Sequence, residues 1–246
     1  MKLFISTPAA GGLIYDRYVA SLIGSIERAK QEGIIEECMI HFQGKESLIH
    51  RARNKAAHSF IESEFDKLLT IDADVTWTYE DLKRIVTSDK DIVGGAYPIK
   101  NFPIVMNFNA LEGRGTELLK SGRGYDLDAW TLFAHKYADP VTGLAEVRHL
   151  ATGFLCVTRD VLAKLSHTVE IYHTRAAETG EIRRHFHFYP AEVKEGELLS
   201  EDWGFTTLAR EAGFPIYLDT RVTLGHVGSW EFKLGQFFGE RGVGLR

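Results

Sequence analysis

The sequence is poor in cysteine and has no long apolar run. Cys38 and Cys156 are the two cysteines among 246 residues, and both lie in apolar, strand-like surroundings. This placement predicts core thiols of a reducing compartment and no disulfide. No apolar stretch approaches the roughly 18 residues that a membrane span needs, and the amino terminus carries no charged leader. We therefore expect a cytoplasmic protein without a membrane span.

An excess of positive charge is also missing. The chain has 29 Lys and Arg against 34 Asp and Glu, a net charge of −5, and its basic residues are dispersed. This balance argues against a protein held to nucleic acid mainly through phosphate contacts. The nearest basic patch is Arg183-Arg184, followed by His185 and His187. Internal repeats, low-complexity tracts and linkers are absent, so we expect one domain.

Short apolar runs alternate with helical patterns over the first hundred residues, as in a Rossmann-like half. Strands are predicted at 3–6, 38–42, 67–71, 91–95, 102–108, 147–150, 154–157, 216–218 and 222–224. Helices are predicted at 15–33, 48–61 with Ser47 as N-cap, from Thr78 to 86, from 159, and from Ser200 to 212. Residues 113–124 are predicted as a loop and 174–184 as a polar loop over the site. The fold class is α/β, with a mixed, mostly parallel sheet flanked by helices.

The most informative local feature is Asp72-Ala73-Asp74, which directly follows the apolar strand 67–71. Ligands of open α/β sheets bind beyond such strand ends. Two carboxylates there are costly without a partner, and hard oxygen ligands suit Mg²⁺ or Mn²⁺. Such a cation in turn suits a diphosphate. The alternative is a solvated turn that caps the next helix.

The Asp-x-Asp spacing by itself is not specific, because the chain contains three such triplets. Asp89-Lys90-Asp91 lies in a charged turn, and Asp126-Leu127-Asp128 lies in a Gly-, Tyr- and Trp-bearing loop. Neither triplet follows an apolar strand. The preceding strand therefore distinguishes Asp72-Ala73-Asp74 from the other two.

The helix after the second strand carries Arg51-Ala52-Arg53-Asn54. Arg51 and Asn54 lie three residues apart and share a helix face, whereas Arg53 points elsewhere. A guanidinium beside an amide suits a nucleobase, ribose or phosphate. The alternative is a solvated face on which Arg pairs with Glu46 or Glu62.

Two further motifs carry candidate chemistry. The segment Ser200-Glu201-Asp202-Trp203-Gly204 has two acids at a predicted helix start, where the positive end of the helix macrodipole favours them. One of these carboxylates could also serve as a general base. Trp203 offers a flat face for a sugar or base, and Gly204 in a helix indicates close packing or ligand approach. His226 lies between two glycines at a predicted strand end, where it is either a structural hydrogen-bonding residue or a third metal ligand.

The order of these motifs resembles GT-A fold glycosyltransferases, most closely the small family-2-like enzymes of bacteria and their phages. From Leu3 to about Gly228, the motifs that carry the resemblance are R-A-R-N, I-D-A-D, D-I-V-G-G-A-Y-P-I-K, A-T-G-F, S-E-D-W-G-F and G-H-V-G. The resemblance implies a nucleotide-sugar-binding half at 1–110, an acceptor and catalytic half at 111–230 and a tail at 231–246.

The resemblance also implies roles for individual residues. Asp72 and Asp74 would hold the metal and, through it, the donor diphosphate, with His226 completing the metal shell. Asp202, or else Glu201, falls where inverting members keep their base. The residues implied to bind or border the donor are Thr7 and Pro8 at the nucleoside, Arg51, Asn54, Asp72, Ala73 and Asp74, Lys100 near phosphate beside Tyr97 and Pro98, and Gly153 of A-T-G-F at the sugar.

The implied activity is transfer of a sugar from a nucleotide-diphosphate sugar, with Mn²⁺ or Mg²⁺, to a hydroxyl of a glycan, a small molecule or a modified DNA base. Inversion follows if Asp202 is the base, and the oligomeric state is left open. The chain lacks the Q-x-x-R-W motif and membrane helices of processive synthases. Three alternatives stay open: a metal-dependent nucleotidyltransferase or phosphoryl enzyme, a non-catalytic sugar-binding module, and a zinc enzyme using His185, His187 and His173.

Overall fold

The computed structural model describes residues 1–44, 46–100, 106–111, 127–175, 180–194 and 196–233. Its strands are β1 (Lys2–Ala9), β2 (Glu37–Gly44), β3 (Lys67–Ile71), β4 (Val75–Thr76), β5 (Ile92–Gly94), β6 (Phe108–Ala110), β7 (Leu144–Leu150), β8 (Phe154–Thr158), β9 (Ile171–Arg175), β10 (Ile182–Phe186), β11 (Glu192–Lys194), β12 (Glu197–Leu199), β13 (Ile216–Asp219), β14 (Gly225–Val227) and β15 (Glu231–Lys233). Its helices are α1 (Asp16–Gln31), α2 (Ile49–Ile61), α3 (Tyr79–Val86), α4 (Leu127–Tyr137), α5 (Arg159–Leu165) and α6 (Glu201–Glu211), with a 3₁₀ turn at Ala10–Gly12.

Eight strands of the described chain form the central sheet, in the order β2-β1-β3-β8-β5-β13-β7-β6. The pairs β1–β2, β1–β3 and β5–β13 are parallel, and β8 and β7 run against their neighbours. Most strands therefore point the same way. The predicted α/β class, with a mixed, mostly parallel sheet flanked by helices, is confirmed.

Alternation along the buried strands divides the core into two layers. Leu3 and Ile5 of β1 face the layer under α1 and α3, whereas Phe4 faces the layer under α2, α4, α5 and α6. Side chains of neighbouring strand residues point to opposite faces, so one apolar run feeds both layers. Helix α2 thus lies on one face of the sheet with its first turn near the carboxyl ends of β1 and β3, where the candidate site is found.

Local signals predicted two helix starts correctly and one incorrectly. Thr78 and Asp81 form a capping box at α3, and the Ser200 hydroxyl accepts from the backbone N–H of Trp203 at α6. The prediction of Ser47 as N-cap of α2 is wrong, because Leu48 occupies that position without a side-chain cap. Both cysteines are free, with Cys156 buried.

Three segments differ from their prediction. Leu127 and Asp128, predicted to lie in a loop, begin helix α4. The polar stretch 174–184 was predicted as a loop over the site, but it contributes to the antiparallel hairpin of β9 and β10, which packs on α2. Its Arg and Thr residues pair with residues of the opposite strand across the hairpin. A polar sequence pattern does not distinguish such a hairpin from a loop. Residues 222–224 are not a strand; β14 begins at Gly225. The predictions for 102–105, 113–124 and 234–246 lie outside the described residues.

No helix within the described ranges is both long and apolar enough to cross a membrane.

Gly204 lies inside α6 where the helix meets the segment before β11. A Cβ at this position would overlap the backbone carbonyl oxygen of Pro190. The backbone cannot retreat as a flexible side chain could, so only glycine permits this approach. The predicted close packing at Gly204 is confirmed, and it fixes the start of α6 against its neighbour.

We expect Gly204→Ala to lower the free energy of unfolding by about 1–3 kcal/mol, because the added methyl overpacks the contact with Pro190. Gly24→Ala is the matched control, since Gly24 is also helical but has nothing within 4 Å of its Cβ position. That variant should gain up to about 1 kcal/mol from helix propensity. Urea unfolding of both variants measures the difference, and equal effects would contradict this account of Gly204.

Candidate functional site

The candidate site is a cavity of about 660 Å³ beyond the carboxyl ends of β1 and β3. It is lined by Pro8, Ala10, Leu13, Ile14, Tyr15, Ile49, Asp72, Ala73, Asp74 and His226. The apolar strand β3 ends at Ile71, and the Asp72 N–H donates to the Gly153 carbonyl at 3.0 Å. The Asp72 carbonyl then accepts from the Val75 N–H at 3.0 Å, which closes a tight turn. This turn directs the predicted Asp-x-Asp segment into the cavity.

A buried arginine organises the inner side of the site. The Arg53 side chain of α2 is 3% exposed. Its Nη2 donates to Asp72 Oδ1 at 2.8 Å and its Nη1 to Glu201 Oε1 at 3.0 Å. Nη1 also donates to Asp202 Oδ1 and to the Thr152 hydroxyl. One guanidinium therefore joins the end of β3, the turn before β8 and the start of α6.

The charges around Arg53 perturb each other because little water reaches them. Burial opposes the charge of Arg53, but Asp202, Asp72 and Glu201 outweigh it and raise the pKa of the guanidinium further. Burial, with the neighbouring Asp202, raises the pKa of Glu201 despite the attraction of Arg53. A carboxylate with a raised pKa holds a proton more readily, a property that suits a general base.

A second polar group occupies the outer side of the site. Antiparallel pairing of β14 with β4 places His226 opposite Val75, directly beyond Asp74. The His226 Nδ1 donates to the Pro98 carbonyl at 2.8 Å, so its Nε2 faces Asp74 Oδ2 at 3.5 Å. Lys100 forms an ion pair with the same carboxylate oxygen. Burial disfavours the charge of Asp74, but the hydrogen bonds from His226 and Lys100 outweigh it and lower the pKa of Asp74 to about 2.

The residues predicted to hold a metal meet only in part. Asp74 and His226 approach each other, and an imidazole held through Nδ1 presents Nε2 as a ligand. Asp72 lines the same cavity, but its Oδ1 is bonded to Arg53 and its Oδ2 accepts a hydrogen bond from the Tyr97 hydroxyl at 3.3 Å. The carboxylate oxygens suit Mn²⁺ or Mg²⁺, and the imidazole nitrogen suits Mn²⁺ rather than Mg²⁺. Across the described ranges, no three His, Cys, Asp or Glu side chains are grouped so as to hold a metal ion.

Gly153 packs directly against the Asp72 carboxylate. A Cβ on Gly153 would overlap the Tyr97 hydroxyl and Asp72 Oδ2. Glycine is therefore required for Asp72 and Tyr97 to pack where they do. The adjacent Thr152 bonds to both Arg53 and Asp202. The A-T-G-F segment thus positions site side chains, and its predicted contact with a sugar stays a prediction.

The other predicted residues divide between the cavity and the core. Pro8 lines the cavity, whereas the Thr7 side chain is fully buried and bonds to the Tyr18 hydroxyl. Trp203 stacks on His149 with ring centroids 5.1 Å apart, so one of its faces is already covered. Any contact of Thr7 or Trp203 with a nucleoside or sugar stays a prediction.

The assignment of the α2 faces needs correction. Arg51 pairs with Glu46 at 3.0 Å and remains partly exposed, as the alternative interpretation predicted. Asn54 is fully buried and its Oδ1 accepts from the Tyr189 backbone N–H at 2.9 Å. Arg53, which was expected to point away from the chemistry, occupies the centre of the site. The pattern R-A-R-N does not show which arginine faces inward, because that depends on the carboxylates that meet α2 in the fold.

Sequence reasoning also missed the apolar wall of the cavity. Leu13, Ile14 and Tyr15 follow the 3₁₀ turn after β1, and Ile49 opens α2. Leu13 is 78% exposed, which is unusual for a large apolar side chain. Their clustering after the first strand is the available signal, but the predicted helix from residue 15 includes only Tyr15 of the three.

The histidines proposed for zinc do not assemble. The β9–β10 register sets His173 opposite Arg184 and His185 opposite Tyr172. His185 is buried and bonds to the Thr174 hydroxyl through Nε2 at 2.9 Å, and His187 lies beyond the strand end. These positions give no three-ligand group in the part of the chain that the structure describes.

Comparisons with known proteins give likenesses in structure alone. No protein-family model matches the chain, and no curated protein matches it. The crystal structure of A197 from STIV is similar, with a TM-score of 0.50 and 16% identity over 93% of this chain and 86% of that one. The crystal structure of GalNAc-T7 with UDP, GalNAc and Mn²⁺ has a TM-score of 0.49 and 9% identity over 92% of this chain and 44% of that one. The likeness to A197 is one of fold and shows no specific family.

We expect Arg53→Met to lower the free energy of unfolding by about 3–5 kcal/mol at pH 7, because it leaves carboxylates buried without their cation. The deficit should shrink at pH 5. The reason is that the pKa of Glu201 is raised in the folded state. A carboxyl group with a raised pKa stabilises the fold at low pH, and this stabilisation is lost as the pH rises through its folded-state pKa. Urea unfolding at both pH values measures this.

Arg210→Met is the matched control. Arg210 pairs with Glu146 at 3.2 Å on a partly exposed surface, so its loss should cost less than about 1 kcal/mol. Equal losses in the two variants, or a deficit of Arg53→Met that does not depend on pH, would contradict the central role given to Arg53.

Proposed function

We propose that this chain is a metal-dependent glycosyltransferase of the GT-A type, which moves a sugar from a nucleotide-diphosphate sugar to a hydroxyl acceptor. One observation carries the proposal: Arg53 holds the acidic strand end at Asp72 and the acidic helix start at Glu201 and Asp202 on the same guanidinium. A candidate donor-binding carboxylate, which lines the cavity, and a candidate base are thereby joined through one guanidinium.

The donor would lie in the cavity with its nucleoside on the apolar wall. Pro8, Leu13, Ile14 and Tyr15 offer surface for a flat base. The diphosphate would then reach Asp74 and His226 at the other end. Lys100 is paired with Asp74, and its ammonium would turn to the phosphate oxygens that arrive there.

Asp74 and His226 are the residues best placed to hold a divalent cation, with Asp72 in the same cavity. When bound, Mn²⁺ or Mg²⁺ would neutralise the charge that develops on the departing nucleoside diphosphate. His226 is held in place for this role by the Pro98 carbonyl. Lys100 must share or release the Asp74 carboxylate, so donor and cation are expected to bind together.

Asp202 is our first candidate for the general base and Glu201 the second. Asp202 Oδ1 is occupied by Arg53 and by the Thr152 hydroxyl, which fix the carboxylate and leave Oδ2 for an acceptor hydroxyl. Glu201 has the raised pKa and is bonded to Arg53. The base takes the acceptor proton as the hydroxyl attacks the anomeric carbon, and inversion follows.

A screen of common nucleotide-sugars for hydrolysis tests the proposal directly. We expect turnover or binding of at least one donor with manganese and its loss with EDTA, because the diphosphate needs a counter-charge. Failure of every donor to bind or turn over with manganese would overturn the proposal. Binding without hydrolysis or transfer to any acceptor would indicate a sugar-binding module instead.

Two site variants should separate donor binding from transfer. Asp74→Ala should abolish manganese-dependent donor binding, measured by calorimetry. Asp202→Asn should preserve that binding and lower transfer by about 10²–10⁴-fold, the range for loss of a general base. Asp89→Ala is the matched control, since it changes another Asp-x-Asp triplet whose aspartate is exposed.

If Asp202→Asn leaves transfer unchanged while Glu201→Gln lowers it, the base is Glu201. If both variants transfer normally, neither residue is the base and the inverting assignment is wrong.

A further inference from the structure

A second and larger cavity lies outside the candidate site. Its volume is about 1090 Å³, and it lies between the edge strand β2, helix α2 and the β9–β10 hairpin. Arg51, Lys55 and His58 of α2 line it, whereas Arg53 of the same helix points into the candidate site. No residue that the proposed function uses lines this cavity.

Buried polar atoms without partners gather around this cavity. Among the residues that the structure describes, none bonds to His41 Nδ1, Arg51 Nε, His58 Nδ1 or His185 Nδ1, and all four side chains line the cavity. His185 is only 4% exposed, and its other ring nitrogen bonds to Thr174. An unsatisfied buried polar atom destabilises the protein, so a ligand that supplies partners would recover part of that cost.

The imidazoles suit hydroxyl groups. Burial, with the neighbouring His58, lowers the pKa of His185 to about 4, and burial also lowers the pKa of His41. Both rings are therefore neutral at physiological pH. A neutral imidazole nitrogen can donate to or accept from a hydroxyl, according to its tautomer.

The remaining lining is cationic, although the chain as a whole has a net charge of −5. The cationic lining residues are Arg51, Lys55, Arg175, Arg183 and Arg184, and the acidic ones are Glu46, Glu62 and Glu181. Glu46 is bound by Arg51 and Lys55, and Glu181 by Arg183. Arg184 stacks on Phe186 at 4.9 Å and has no ion pair within the described ranges. The cavity thus offers positive charge to an acidic ligand.

The cavity borders the candidate site. In the parallel β1–β2 register, Pro8 of the site cavity pairs with Gln43 of the second cavity, and neighbouring strands lie about 4.8 Å apart. Along α2, Arg51 is two residues from Arg53. A chain seated in the second cavity can therefore extend into the site cavity at Pro8.

We propose that this cavity binds the acceptor and that the acceptor is an acidic oligosaccharide, in which sugar hydroxyls alternate with carboxylate or phosphate groups. The role of this ligand as acceptor rests on the proposed function, whereas its binding to the cavity does not. Nucleic acid fits less well because its bases need aromatic faces. Among the described lining residues, Phe186 is the one Phe, Tyr or Trp, and Arg184 covers it.

Calorimetry with defined oligosaccharides tests the proposal without donor or manganese. The probes are trigalacturonate, maltotriose carrying one phosphate, neutral maltotriose and a short deoxythymidylate strand. We expect one or both acidic sugars to bind about tenfold or more tightly than maltotriose, with affinity that falls as salt rises. The tighter of the two identifies the acid as carboxylate or phosphate.

Arg184→Gln should weaken that binding about fivefold, the equivalent of about 1 kcal/mol for one exposed charge. Arg28→Gln is the matched control, because Arg28 is an exposed arginine of α1 on the opposite face of the sheet. Imidazole NMR signals of His185 should shift on binding in the unchanged protein, which gives a readout that needs no buried variant.

Three results would overturn the proposal: no acidic sugar binds at millimolar concentration, binding is equally weakened by Arg28→Gln, or deoxythymidylate binds more tightly than both acidic sugars. The donor screen with manganese is independent of these results. Acidic-sugar binding without donor turnover would refute the transferase and leave the cavity assignment intact, whereas donor turnover without acidic-sugar binding would do the reverse.

Discussion

The buried charge of Arg53 is the constraint on which the candidate site depends. A guanidinium that is almost fully removed from water must find anionic partners, and Asp72, Glu201 and Asp202 are equally in need of a cation. Their mutual attraction ties together a helix, a strand end and a second helix start that are far apart in the chain. Because each group is stable only with the others, the site is assembled by the fold as one unit.

The outer group of the site is brought together by strand pairing. Asp74, His226 and Lys100 meet because the short strand β14 pairs with β4 next to the Asp-x-Asp turn. These side chains are less buried than Arg53, and their charges can be exchanged for those of a ligand. A rigid inner group and an exchangeable outer group suit a site in which reacting residues stay fixed while a charged donor enters and leaves.

Helix α2 connects the two cavities. Arg53 points inward to the carboxylates, while Arg51, Lys55 and His58 line the cavity beside β2. One helix therefore supplies positive charge both to the candidate site and to the second cavity. The β9–β10 hairpin completes the second cavity, and its strand β10 packs on α2.

The sequence by itself determined the features that depend on neighbours in the chain. The apolar strand before Asp72, the capping box at Thr78, the Ser200 cap and the close packing at Gly204 could all be predicted, because they are set within a few residues. Tertiary structure alone decided that Arg53 faces the carboxylates, since the inward face of a helix depends on what packs against it. Burial of that charge needs partners from distant segments, and no local pattern in R-A-R-N records them.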